Sequence, residues 1–286
     1  MSRSGKIDLH IHTTVSDGTD TPYELINNLK SANVGIFSVT DHDAVKTGKI
    51  ISKLLTSNDP AFITGVEFSC KDENGQYHIL GYGFDPDCED VQRIVSLGHS
   101  YRIKKVRARL DFLKSQFGFS FPEEEITHLF TLDNPGKPHI ANLMVKYSYA
   151  ETKDKAIEDY INCAYFANEY VRPEEAIEGI VNSGGIPILA HPFFGSGNEL
   201  ISGTDMENRL QRLMDFGLKG IEAFYSGFNA KMRGEAIKLA EKYNLYVTAG
   251  SDYHGKNKPI TLGDTGLDRE DDYPKGLCRF LEIFGI

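Results

Sequence analysis

Ile7-Asp8-Leu9-His10-Ile11-His12 alternates apolar and polar residues, so Asp8, His10 and His12 share one face and Ile7, Leu9 and Ile11 the other. That is a strand, and a helix follows it. Thr21 stands as its N-cap, Pro22 takes the favoured first helical position, and the pattern runs to Ala32. Gly35 to Thr40 is a second strand, ending at Asp41-His42-Asp43, so the opening is β-α-β. The same grammar continues outward. A helix from Lys46 to Leu55 leads to the strand Phe62–Ser69, and Asn74-Gly75 predicts a tight turn into Tyr77–Gly83 as the second arm of a hairpin. After a helix at Pro173–Ser183 come strand Ile186–Ala190, helix Asp205–Phe216, strand Gly220–Phe224 and helix Lys231–Tyr243. A last strand, Tyr246–Ala249, runs into Ser251-Asp252-Tyr253-His254. Seven strands in mostly β-α alternation predict an α/β protein, either a barrel or a wound open sheet.

Between Pro86 and Pro173 the strand pattern stops, and helical patterns replace it near His99–Phe117, Pro122–Phe130, Pro138–Tyr147 and Lys153–Cys163. The expected organisation is a barrel domain from residues 1–85 and 173–286 with an inserted helical subdomain at 86–172. The chain has 286 residues, 40% hydrophobic and 25% charged, which is enough apolar material for a sizeable core and excludes disorder. A net charge of −10 argues against unguided binding to nucleic acid or anionic membrane, so a phosphate ligand needs local positive charge. No apolar run approaches the ~18 residues of a membrane span. The opening Met-Ser-Arg-Ser-Gly-Lys has no signal-peptide core, and a cytoplasmic protein without an obligate protein partner is expected. Cys70, Cys88, Cys163 and Cys278 are scattered, which gives neither a zinc knuckle nor a disulfide framework.

Histidine carries the chemistry. His10-x-His12 alone could be a polar strand edge, but it has company at the other strands. Asp17 follows the first strand, Asp41-His42 ends the second, Glu67 lies near the end of the third, and His78 opens the fourth. His191 ends the fifth, and Asp252 and His254 end the last. Ligand sites in parallel α/β folds lie at the carboxyl ends of strands, so these residues converge on one rim. His78 fits because an antiparallel hairpin strand begins at that rim. Imidazole with carboxylate suits Zn, Mn and Fe, and nine candidate ligands exceed the needs of one ion, which implies a cluster of two or three divalent metals. Asp41, next to His42, is either an acceptor that fixes the histidine tautomer or a buried structural carboxylate.

His10-x-His12, Ser16-Asp17-Gly18, Thr40-Asp41-His42, Gly65-Val66-Glu67, His78-Ile79-Leu80-Gly81, Ala190-His191-Pro192 and Gly250-Ser251-Asp252-Tyr253-His254 resemble the successive motifs of the PHP (polymerase and histidinol phosphatase) family. The resemblance spans nearly the whole chain. It implies a distorted (β/α)7 TIM-like barrel with up to three divalent metals at its carboxyl-end rim, hydrolysing phosphoesters. Carried over by position, one metal takes His10, His12, Glu67 and Asp252; a second shares Glu67 and adds His78 and His191; a third takes Asp17, His42 and His254. Glu67, Asp252 and His191 are the residues expected to act most directly in catalysis, with a metal-bridging hydroxide attacking phosphorus in line. Three such ions with three carboxylate ligands leave about +3 of charge, so an acidic exterior does not exclude a polyanionic substrate.

The insertion narrows the resemblance. Gly136-Lys137-Pro138-His139-Ile140-Ala141, the stretch Ser183–Pro192 and Gly220-Ile221-Glu222 are similar to the 3′,5′-nucleoside bisphosphate phosphatases, some of which also act as 5′→3′ exoribonucleases on short RNA. The subgroup commonly has arginine where Lys137 stands, so the charge is kept and the bidentate fork is lost. Pro138 suits the first helical position, which puts Lys137 and His139 at an anion-attracting helix N-terminus; alternatively Lys137 is a solvated flank. On the basic run His99–Arg109, Arg102, Lys105 and Arg109 align on a helix whose apolar face is formed by Val106, Leu110 and Leu113. Most of that run reads as a solvated face, with Arg102 and Arg107 the candidates for a second phosphate. Phe193, Phe194 and Tyr225 could stack on a base or simply pack.

The expected activity is removal of the 3′-phosphate of 3′,5′-bisphosphonucleosides, extending to 5′ ends of short RNA. Competing readings are a phosphatase on another small monoester such as histidinol phosphate, a noncatalytic nucleic-acid-binding module, and a metal-dependent amidohydrolase. The full complement of ligands counts against the noncatalytic reading, and the motifs count against the amidohydrolase.

Overall fold

Seven strands form one sheet in the order of the chain, in a computed structural model that describes residues 5–163, 169–196, 199–267 and 273–286. The opening tetrapeptide, on which the reading of the leader partly rests, lies outside the described residues. Contacts divide the chain into two units, one comprising Met1–Val95 with Val171–Ile286 and the other Ser96–Tyr170.

In the first unit β1 (Lys6–Asp8), β2 (Val34–Val39) and the first part of β3 (Ala61–Asp72) pair in parallel. Helix α1 (Pro22–Ser31) lies between β1 and β2 because Thr21 and Glu24 cap it reciprocally: the Glu24 N–H donates to Thr21 Oγ1 (3.2 Å) and the Thr21 N–H to Glu24 Oε2 (2.9 Å). Its Leu25, Ile26 and Leu29 are buried with Phe37 and Val39 of β2 and Ile51 of α2 (Lys46–Leu54). The turn falls at Glu73-Asn74, one residue before the Asn74-Gly75 signal, and β4 (Gly75–Tyr82) pairs antiparallel with β3 on one side and with β5 (Ile186–Leu189) on the other. Helix α7 (Pro173–Asn182) precedes β5, and β5, β6 (Gly220–Tyr225) and β7 (Tyr246–Gly250) are parallel again, separated by α8 (Gly203–Asp215) and α9 (Ala230–Lys242).

The sheet closes on itself. Leu9 N–H donates to the Ala249 carbonyl (2.8 Å), Asp252 N–H to His10 (2.8 Å) and His12 N–H to Tyr253 (2.9 Å), so the segment after β1 is stitched to the end of β7. The result is the distorted seven-stranded barrel that the motifs implied. The sequence alternation predicts a strand through His12, whereas the regular ladder stops at Asp8. The Asp8 carboxylate accepts from the amides of Ser251 (2.9 Å) and Gly263 (2.7 Å), and beyond it the extended chain bonds irregularly to both neighbours.

Helix α10 (Lys275–Ile283) is an element for which the sequence reading made no prediction; its Leu277, Phe280 and Leu281 are buried. Gly276 allows this helix to lie against β7, since a Cβ there would come within 2.8 Å of the Leu245 carbonyl.

The insertion was expected to open at residue 86, but the first helix there, α3, runs unbroken over Glu89–Phe117, with Val91 and Ile94 buried in the first unit. The second unit holds the rest of α3 with α4 (Glu123–Thr131), α5 (Lys137–Lys146) and α6 (Lys153–Asp159). Its own core joins Val106, Leu110 and Leu113 to Leu129, Ile140 and Met144, so the apolar face read from the basic helix is the face that packs. Among the described residues no helix is long and apolar enough to cross a membrane.

Candidate metal centre

Glu67 lies where β3 parts from β2. Its N–H donates to the Asp41 carbonyl (3.3 Å) and its own carbonyl accepts from Asp43 (2.9 Å), so the side chain enters the barrel mouth beside His42. Across the hairpin Glu67 pairs with Leu80 and Ser69 with His78, which sets Glu67 and His78 as diagonal neighbours on one sheet face. The carboxylate is 1% exposed, and its two oxygens serve different neighbours. Oε2 lies 3.2 Å from His10 Nε2, 3.2 Å from His12 Nε2 and 3.1 Å from His42 Nδ1. Oε1 lies 2.7 Å from His78 Nδ1 and 3.3 Å from His191 Nε2.

Asp252 and Asp17 bound the cluster. Asp252 Oδ1 is 3.2 Å from His12 Nε2, 3.6 Å from His10 Nε2 and 3.4 Å from His254 Nδ1. Asp17 is 3.2 Å from His254 Nε2, 3.7 Å from His12 Nδ1 and 3.9 Å from His42 Nε2. All nine candidate ligands read from the sequence therefore meet at one mouth. Among the described residues, three groups have ligand atoms within 4.8 Å of one another: His12/Asp17/His42/His254, His10/His12/Glu67 and His42/Glu67/His78.

This donor set suits divalent cations. Among the described residues, His10 Nε2, His12 Nε2 and Glu67 Oε2 are buried in the mouth without a hydrogen-bond partner. Each such atom ordinarily costs about 1–3 kcal/mol. A cation removes that cost for atoms that converge with lone pairs on a shared point.

Electrostatics tell the same story. Burial alone would raise the Glu67 carboxyl, yet the surrounding His78, His42 and His10 hold it well below its ordinary value. Burial acts upward on Asp252 and Asp17 too, and is outweighed, chiefly by His10 for Asp252 and His42 for Asp17. The buried Glu67 and Asp252 and the partly exposed Asp17 are thus held below the ordinary carboxylate range by the histidines around them. Conversely, burial pulls His10 down but Glu67, Glu222 and Asp252 carry it well above normal, while burial dominates at His42 and depresses it.

The support around the ligands was only partly legible. Glu222, quoted only within a sequence motif, is wholly buried on β6 and bonds two ligand positions: Oε1 lies 3.0 Å from His10 Nδ1, and Oε2 accepts the His191 N–H at 2.8 Å. A carboxylate only accepts, so it puts the His10 proton on Nδ1 and leaves Nε2 to the centre. Asp41 takes the structural one of its two readings, accepting from Thr13 N–H and Oγ1, Ser16 Oγ and Thr47 Oγ1, and so bracing the loop after His12. Phe193 is buried and packs against Phe228, and Tyr225 joins the same aromatic group while its hydroxyl donates to Asp252 Oδ2 (3.0 Å).

The four candidate substrate residues belong to the second unit. Lys137 opens α5, with Nζ donating to Asn162 Oδ1 (2.6 Å), and His139 Nδ1 accepts the Gly136 N–H (3.2 Å). Burial and the nearby Arg109 guanidinium lower the Lys137 pKa, and burial lowers that of Arg109, with Arg102 acting in the same direction. Arg109 therefore shares the surroundings of Lys137 and Arg102, a role the sequence reading did not give it. Arg107 is exposed, its guanidinium 4.2 Å above the Phe130 ring.

Similarity to known proteins runs the length of the chain. No protein-family model matches it. It is 26% identical over 285 residues to a 3′,5′-nucleoside bisphosphate phosphatase of Chromobacterium violaceum, covering 96% of this chain and 94% of that protein. The 5′-3′ exoribonuclease Rnm of Salmonella typhimurium is 27% identical over 264 residues, 90% of this chain and 87% of the enzyme. Among solved structures, a protein of Bifidobacterium adolescentis described as a metal-dependent phosphoesterase superposes with a TM-score of 0.82 at 25% identity, covering 99% of both chains.

Proposed function

We propose, from the premise that the chain is a metal-dependent phosphoesterase of the PHP type, that it removes the 3′-phosphate of 3′,5′-bisphosphonucleosides, with the 5′ ends of short RNA as further substrates. The observation that carries the hydrolytic reading is Glu67, one buried carboxylate whose two oxygens face opposite sets of histidines. The nucleotide preference is supported by the full-length similarity to enzymes with those named substrates.

His10, His12, Glu67 and Asp252 would hold one ion, Glu67, His78 and His191 a second, and Asp17, His42 and His254 a third; Mn, Zn or Fe suits such nitrogen and oxygen donors. Bound divalent ions supply Lewis acidity, a lowered pKa for water and positive charge against the phosphate. The chain's own work is to fix geometry. Glu67 ties the two halves of the site through one rigid carboxylate, Glu222 orients His10 and the His191 backbone, and the buried histidines keep bulk water from the inner face. Lys137 and His139 are our candidates for holding the phosphate that is not cleaved, on the chemistry of the α5 N-terminus, with Arg102 and Arg109 the additional cations and Arg107 a weaker one.

Metal analysis paired with a substrate panel tests this. Reconstituted protein should carry two to three divalent ions per chain. It should also hydrolyse a 3′,5′-bisphosphonucleoside with higher kcat/KM than the 5′-monophosphate or histidinol phosphate, each tenfold reporting ~1.4 kcal/mol from the second phosphate. Fewer than one ion per chain, with no effect of chelation, refutes the metal centre. Equal turnover of mono- and bisphosphate refutes the substrate assignment.

A further inference from the structure

The two oxygens of Asp252 have unlike surroundings. Oδ1 faces the centre, near His10, His12 and His254. Oδ2 points the other way, 3.0 Å from the Tyr225 hydroxyl and 2.6 Å from Lys258 Nζ. Tyr225 comes from the end of β6 and Lys258 from the loop after β7, so two separate elements converge on one oxygen. We propose that Tyr225 and Lys258 form a two-donor clamp on Asp252 Oδ2 that leaves Oδ1 as the single oxygen offered to metal. This inference rests on the metal reading of the centre.

The geometry around the clamp is built. The Lys258 ammonium returns to the carboxylate six residues earlier because the intervening loop is pinned: Lys256 N–H donates to Thr19 Oγ1 (2.9 Å) and Asn257 Nδ2 to the Asp17 carbonyl (2.7 Å). Gly255 adopts φ +63°, and a Cβ there would collide with Thr19 Oγ1. The same pins fix the Asp17 loop, so the clamp and two candidate ligands share one scaffold. Tyr225 is held by packing on Phe228 (5.2 Å between ring centroids) and lies 5.4 Å from the His191 ring, which gives its hydroxyl little freedom to turn away.

An ionised carboxylate without such donors can rotate or take metal through both oxygens. With both donors on Oδ2, rotation costs two hydrogen bonds, one of them charge-assisted. Lys258 also offsets part of the Asp252 charge without touching the histidines. Both are therefore positioning residues, acting on metal through Asp252.

The test is metal titration of apoprotein, using Mn²⁺ counted as free ion and Zn²⁺ against a chromophoric chelator, in wild type, Tyr225→Phe, Lys258→Met, Lys258→Arg and the double variant Tyr225→Phe/Lys258→Met. Each single loss variant should weaken one class of site about 10–100-fold, as removal of an outer partner of a ligand does. Lys258→Arg should restore most of it. Because both donors act on one oxygen, the double variant should differ from the product of the singles. Apoprotein Tm should be little changed, and KM at saturating metal should match wild type. Unchanged metal affinity in both single variants overturns the clamp, as does a raised KM at saturating metal with unchanged affinity, which would make Lys258 a substrate contact. Wild-type protein that takes up no metal overturns the centre and the clamp together, and the wild-type titration alone distinguishes that failure.

Discussion

Replacing Glu222 by glutamine keeps volume and shape and removes one acceptor, which makes it a clean probe of how the centre is held. In the native arrangement Oε1 receives His10 Nδ1–H at 3.0 Å and Oε2 receives the His191 N–H at 2.8 Å, with the side chain wholly buried. Glutamine has one oxygen and one NH2, so one of the two contacts must fail. If the amide oxygen turns to His191, the NH2 meets His10 Nδ1; the imidazole proton then moves to Nε2, the nitrogen aimed at Glu67 and needed as a ligand lone pair. If the oxygen turns to His10, two donors face each other at the His191 backbone, a buried loss of about 1–3 kcal/mol. Either way the expected cost in metal affinity is about 10–100-fold, the usual effect of losing an outer carboxylate on a ligating histidine. That equals ~1.4–2.7 kcal/mol. Competition titration of apoprotein with a chelator of known affinity reads it directly, and denaturant unfolding of the apoprotein separates the second outcome from the first. Affinity within about threefold of wild type, together with unfolding free energy changed by less than roughly 0.5 kcal/mol, would refute the claim that Glu222 sets the tautomer and the backbone.

Glu67→Gln should lose nearly all activity in reconstituted protein, because the substituted side chain serves both halves of the cluster, whereas Lys137→Ala should raise the KM for a bisphosphate and spare metal content; equal metal loss in both variants would show that the roles are wrongly divided. Gly250→Ala should destabilise the apoprotein by about 1–3 kcal/mol, as overpacking does in a filled core. A methyl at position 250 overlaps the His10 Cβ and crowds Glu222 Oε1, and a denaturation midpoint equal to wild type would contradict that packing.

The candidate ligands were readable because most of them stand at or near strand ends. Alternation over residues 7–12 gives the face of His10 and His12; His42 and His191 follow apolar strand runs, Glu67 and His78 lie on the two arms of the hairpin, and Asp17, Asp252 and His254 stand in the segments after the first and last strands. What supports them was harder to see. Glu222 is the lone charge in Gly220-Ile221-Glu222-Ala223-Phe224-Tyr225, a buried run in which a carboxylate demands buried donors, so a signal existed without naming its partners. Lys258 follows Lys256 in a polar loop, and composition gives no hint that only one of them turns inward. Helix α10 carried a signal that the reading passed over, Leu277, Phe280 and Leu281 following Pro274 at helical spacing. Asp41 shows the limit of adjacency: beside His42 in sequence, it turns to Thr13, Ser16 and Thr47 because successive residues in extended chain point to opposite sides.

Backbone strain falls where the sequence pattern breaks. His191 (φ +24°) and Asp252 (φ +59°) are non-glycine residues with positive φ, each two residues past the end of its strand, β5 and β7 respectively. Such conformations cost of order 1–3 kcal/mol each and persist only when the surroundings over-determine them. Here they are over-determined: the His191 N–H is taken by Glu222 and the Asp252 N–H by the His10 carbonyl. Glu222, buried in β6 between these two strands, therefore does two jobs with one carboxylate, holding a ligand's tautomer with one oxygen and a strained backbone with the other. The barrel's stability and the geometry of its centre are coupled through that residue.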